Sequence, residues 1–138
     1  MKKFIIIFLF LLTNCTSNID ESFIKEHNKE LFSIFNDLIK SNFDTVSAEG
    51  KGEIAEKIRK LGIDKVNIKY KPDMWDYIRA DSLVHFIVED HGIWEPTKII
   101  IFDFAQTPRK FGNAEVIGAS YYRKQVLDRW YLESIGFD

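Results

Sequence analysis

The chain has 138 residues, 46% of them hydrophobic and 29% charged, and a formal net charge of −2. That length allows one domain with a real core, while the mildly acidic balance excludes the basic footprint of a nucleic-acid binder and any polybasic lipid-headgroup patch. One cysteine excludes an internal disulfide or a thiolate metal site, and three prolines and seven glycines with no low-complexity stretch describe an ordinary folded globule.

The first element in chain order is a leader. Lys2 and Lys3 precede nine apolar residues, Phe4 to Leu12. Charge followed by a short apolar run is a secretory pattern. A membrane-spanning helix needs roughly 20 apolar residues, so nine cannot cross a bilayer. The next residues, Leu12-Thr13-Asn14-Cys15, resemble the lipobox of bacterial lipoproteins: an aliphatic residue, two small residues, then cysteine. Asn14 stands where that pattern usually has Gly, Ala or Ser. The resemblance covers residues 1–15 only. It implies removal of residues 1–14, a diacylglycerol on the Cys15 sulfur and acylation of the new amino group. The protein would then be held on a membrane of the bacterial cell envelope, facing the periplasm or the exterior. The competing reading is ordinary cleavage after Ser17, which releases a soluble protein and discards Cys15. Cys15 is the only cysteine and sits at the end of the apolar run, which favours lipidation. Residues 15–18 then form the lipidated cysteine and a short tether, and 19–138 a single domain.

Residues 19–43 predict one amphipathic helix, capped by Asn18, with Phe23, Ile24, Leu31, Phe32, Ile34, Phe35, Leu38, Ile39 and Phe43 at mostly helical spacing. A second helix covers 52–61 and stops at Gly62. The period then changes to two. Val66–Lys71, Leu83–Glu89, Lys98–Ala105 and Glu115–Arg123 predict strands, and the third, apolar on nearly both faces, should be central. Residues 124–135 fit a helix or a fifth strand, with the strand preferred and Leu127-Asp128-Arg129 as the turn before it. The fold class expected is α+β: two N-terminal helices packed on a four- to five-stranded antiparallel sheet. This order of elements is similar to the cystatin-like and NTF2-like cone folds, which host binding proteins and enzymes alike.

Chemistry-bearing residues are few. Asp103 lies between Phe102 and Phe104 in the most apolar strand, and His85 on the neighbouring strand could reach it, an acid–base pair for proton transfer. The structural alternative is a salt bridge from Asp103 to Lys69, Arg109 or Arg123. Glu89 and His91 share a strand face roughly 7 Å apart and could share a metal; a strand end running into a polar turn explains them equally. Trp75, Tyr77 and Trp94 sit in loops, where aromatics mark ligand or partner surfaces when they do not close the core. Trp130 is expected in the core, and His27 at the edge of the first helix's inner stripe. There is no Gly-x-Ser-x-Gly elbow and no phosphate-binding glycine loop, since Glu49-Gly50-Lys51-Gly52 has neither the spacing nor a strand before it, and no cofactor is implied. The expectation is a membrane-tethered, non-enzymatic domain binding an envelope protein, a peptide or a small apolar ligand. A small pocket enzyme built on Asp103 and His85 is the rival.

Overall fold

The computed structural model describes residues 19–69, 82–88, 96–107, 113–116 and 121–136. Helix α1 spans Glu21–Ser41. Its cap is Asp20 and not Asn18, which lies outside the described residues; the Asp20 carboxylate accepts the Phe23 N–H at 3.0 Å. Aspartate suits this position because its oxygen satisfies one of the four N–H groups that a helix start leaves unpaired. The Ser22 hydroxyl and then the Phe23 N–H hold that carboxyl below the usual carboxylate range. The helix ends at Asn42, which takes the left-handed conformation (φ 55°) that asparagine tolerates.

A short strand, β1 (Thr45–Ser47), precedes helix α2 (Glu53–Lys60), so the two helices are not consecutive as expected. Three residues are too few to display a period of two. Arg59 fastens the β1–α2 loop by donating to Ala48 O and Gly50 O. A side chain at Gly50 would meet Ser47 O at 3.0 Å, so glycine lets the loop close. Gly62 ends the second helix at φ 71°, as expected.

The remaining strands are β2 (Lys65–Lys69), β3 (Leu83–Val88), β4 (Thr97–Asp103), β5 (Ala114–Val116), β6 (Tyr121–Leu127) and β7 (Trp130–Ile135). All pair antiparallel, in the order β1-β2-β3-β4-β7-β6-β5. The fold is therefore α+β, with seven strands among the described residues where four or five were expected. The stretch 115–123, expected as one strand, contributes to two, β5 and β6. Strand β4 is central, as its apolar faces predict, and β6 and β7 form the preferred terminal hairpin around Asp128 and Arg129. Arg129 turns the chain with φ 65°, and its guanidinium donates to Ala105 O at 3.0 Å, tying the turn to the end of β4.

The alternation of each strand sorts its side chains onto two faces. Val66, Ile68, Val84, Phe86, Ile100, Phe102, Trp130 and Leu132 face the helices. They meet Ile24, Leu31, Ile34, Phe35 and Leu38 of α1 and Ile58 of α2 in the main core. Phe35 packs its ring 5.4 Å from Phe102, and Trp130 lies 4.6 Å from the same ring, buried as expected. Each fully buried side chain of this size stabilises the fold by about 1.5–3 kcal/mol before conformational entropy is subtracted. On the opposite face Leu83, Ile101 and Tyr131 form a second buried cluster with Ile99 packed against it.

Candidate functional site

The second face of the sheet carries the polar residues singled out by sequence. Leu83 pairs with Asp103 and His85 with Ile101, so Asp103 and His85 point the same way, one diagonal step apart across β3 and β4. Side chains at such a diagonal stand about 7–8 Å apart at their bases, within reach of long groups. Both are buried, Asp103 completely. The Asp103 carboxylate accepts the Ala105 N–H at 2.9 Å, a local turn that fixes its orientation. Its backbone N–H donates to Arg129 O at 2.9 Å.

Neighbouring rows complete this face. Asn67 stands opposite His85, with its Oδ1 buried and accepting no hydrogen bond. Farther along, Glu133 pairs with Arg123, and Arg123 donates to the Tyr121 hydroxyl at 3.2 Å. Burial, then the Glu133 charge, pushes the Tyr121 phenol above its ordinary value. Register places Arg123 in the row of Ile99, four residues along β4 from Asp103. That is about 13 Å of strand, so Arg123 is not the salt-bridge partner of Asp103. Lys69 opposes Leu83 in the row of Asp103, but its side chain lies outside the described residues, as does Arg109.

Trp75, Tyr77, Glu89, His91, Trp94 and Cys15 also lie outside the described residues. Among the described residues no three His, Cys, Asp or Glu side chains gather as a metal site, and no helix is long and apolar enough to cross a membrane. His27 is the boundary residue expected: its ring stacks 4.6 Å from Phe23, and its Nδ1 stands 2.8 Å from a Glu30 oxygen.

A second site was not visible in the sequence. The end of α1 and the start of α2 enclose a cleft of about 320 Å³, lined by Lys40, Phe43, Val46, Lys51, Glu53 and Ile54 among others. Apolar Phe43, Val46, Ile54 and Ala55 share its lining with charged Asp37, Lys40, Lys51 and Glu53. Lys57 of α2 bridges two of the lining carboxylates, Asp37 at 2.8 Å and Glu53 at 2.7 Å. The hydrogen bond to Asp37, then that to Glu53, raises the Lys57 ammonium well above its usual value, so it stays charged. Ile39 and Phe43 stand 44% and 53% exposed at this end of the helix, and Phe32 is exposed one face-repeat earlier. Lys51 and Gly52, from the stretch that fails as a phosphate loop, are part of the lining. The signal that could have found the cleft is the width of the α1 stripe: nine apolar positions are more than one buried face can absorb.

No protein-family model matches the chain, and no curated protein or solved structure matches it.

Proposed function

We propose that the chain is a lipoprotein of the bacterial cell envelope, anchored at Cys15, whose folded part is a non-enzymatic binding domain for an apolar segment of another envelope protein or peptide. The anchor rests on residues 1–15. The binding reading is carried by one observation, a cleft lined by exposed Phe43 with Val46 and Ile54 and by charges of both signs, with exposed Ile39 next in sequence to its Lys40. Large apolar side chains left in water beside a concavity mark contact surfaces. A segment with apolar anchors and a few charges of either sign fits it; a small apolar ligand in the same cleft is the other occupant to be told apart. A long helix laid along an antiparallel sheet supports, at the level of element order, the cystatin-like or NTF2-like arrangement.

Two measurements test this. Intact mass of the protein from bacterial membranes should give a chain beginning at Cys15 with acyl mass, lost in Cys15→Ser; an unmodified start near Ser17 or a retained Met1 refutes the anchor. A photo-crosslinking phenylalanine analogue at Phe43 should trap a discrete envelope protein in cells, and one at exposed Glu26 should not. Equal crosslinking at both positions, or none at Phe43, refutes the binding surface.

One observation favours the second reading, an acid–base enzyme: Asp103 and His85 share a buried face. Such a site must admit small molecules. Diethylpyrocarbonate modification, mapped by peptide mass, should reach His85 in the folded protein at a rate near that of His27. A His85 that reacts only after unfolding ends the enzyme reading.

A further inference from the structure

Five large hydrophobic side chains are exposed among the described residues, and they separate by place. Phe32, Ile39 and Phe43 follow the second half of α1 toward the cleft. Tyr122, 39% exposed, and Ile135, 37% exposed, lie at the opposite end of the sheet. Register fixes that placement. Tyr122 pairs with Ser134, Ser134 with Lys98, and Ile135 with both Tyr121 and Thr97, so these residues form the sheet end at which β4 begins. The two exposed side chains fall on opposite faces of that end and bracket it.

Ile19 and the start of α1 lie there too. Lys98 Nζ donates to Ile19 O at 2.8 Å, Ile19 is fully buried, and Lys124 pairs with Glu21. The start of α1 is thus pinned beside the exposed Tyr122 and Ile135. Four residues, Cys15–Asn18, precede Ile19. Fully extended they span at most about 14 Å. Lys98 and Lys124 at this end are both engaged with the start of α1, which leaves apolar contact the larger share of the seating.

We infer that this end of the domain is a membrane-docking surface: Tyr122 and Ile135 sit in the headgroup region of the bilayer that holds the lipid on Cys15. The inference rests on the lipoprotein reading above. A tether of about 14 Å or less keeps the sheet end within reach of the bilayer. Tyrosine prefers that interface because its ring is apolar and its hydroxyl stays wet. Helix α1 then crosses the sheet away from this end: the Asp44 carbonyl just after it accepts the Ile68 N–H in the row of Phe102, four residues or about 13 Å of strand from the Lys98 row. The cleft is presented to the aqueous compartment, not to lipid.

The test uses full-length Tyr122→Cys, Ile135→Cys and Ser41→Cys, each processed in bacteria and purified from membranes. Acylation turns the Cys15 sulfur into a thioether, so a thiol-reactive fluorophore labels only the introduced cysteine. Each labelled protein is placed in phosphatidylethanolamine–phosphatidylglycerol vesicles containing nitroxide-labelled lipid. Quenching at positions 122 and 135 should exceed that at 41 by about threefold, since interfacial side chains sit 5–10 Å into the headgroup boundary. Labelling at two positions leaves one native side chain in place each time. Acylated protein with equal, weak quenching at all three positions overturns the docking surface while leaving the anchor intact. A Cys15 that takes up fluorophore and carries no acyl mass refutes the anchor, and the docking surface with it.

Discussion

Leu38 and Ile39 are isomeric side chains on adjacent residues of one helix, and they should differ in cost when cut to alanine. Leu38 is fully buried against the sheet, while Ile39 is 44% exposed. Leu38→Ala loses the transfer energy of three carbons and leaves a cavity that rigid neighbours such as Ile34 and Phe35 only partly fill. The expected cost is about 3 kcal/mol, within the 2–5 range for such truncations. Ile39→Ala loses roughly half the transfer energy, leaves no cavity because water enters, and recovers a few tenths of a kcal/mol because alanine is the better helix former. The net should be below about 1 kcal/mol. In a domain of this size the first change lowers Tm by about 10–15 °C, the second by a few degrees. Urea unfolding followed by far-UV circular dichroism measures both, with the slope unchanged if only stability moves. Costs within about 0.5 kcal/mol of each other would refute the assignment of the α1 faces, and with it the claim that Ile39 is free for a partner.

Asp103 accepts the Ala105 N–H. Asp103→Ala leaves that half-buried donor without its acceptor and should cost about 1 kcal/mol or more, whereas Asp103→Asn keeps an acceptor and should cost clearly less; chemical denaturation ranks them, and an asparagine variant as damaged as the alanine one shows that charge and not the turn holds this residue in place. Asp20 gives a pH signature. Its carboxyl is depressed in the folded state, so its contribution is complete above the ordinary carboxylate range and is lost as pH falls through the lower folded value. Asp20→Asn keeps the helix cap but cannot titrate, so its urea midpoint should fall less than that of the wild type between neutral pH and about pH 3. Identical acid slopes would show that the Ser22 and Phe23 hydrogen bonds do not favour the ionised carboxyl.

What could be read in advance follows from which physics acts locally. The α1 stripe, the stop at Gly62, the alternation of β2 and the doubly apolar β4 are properties of a single segment, and each is where pattern places it. The terminal stretch was legible too, because Asp128-Arg129 between aromatic and β-branched residues favours a hairpin. Strands β1 and β5 were not. Each holds three residues at the sheet edge, exists only because β2 or β6 lies beside it, and carries no period of its own. The helix start shifted from Asn18 to Asp20 because either can cap; contacts made elsewhere decide, and Lys98 pins Ile19 just before Asp20. The Asp103–His85 face needed only strand register, which alternation already implied. The cleft at Phe43 was legible only as an over-wide α1 stripe, because it joins the end of one helix to the start of another through a loop that Arg59 holds shut.

These placements give the molecule two unlike ends. At one end lies Ile19, four residues after Cys15 in sequence, its carbonyl held by Lys98 and the sheet end beside it flanked by Tyr122 and Ile135. At the other lie the cleft, Phe43 and the turn by which Arg129 closes over the end of β4. A domain tethered by a long linker could present any face to a partner and would gain nothing from such polarity. If Cys15 carries lipid as proposed, a tether of four residues narrows the accessible orientations, and surfaces far from the pinned end are the ones open to a partner of any size. On that proposal the exposed apolar residues divide by place: Tyr122 and Ile135 are covered by lipid, and Ile39 and Phe43 are left for a protein segment. If Cys15→Ser released the protein and crosslinking at Phe43 persisted unchanged, the cleft would function without its membrane, and the short tether would serve retention alone.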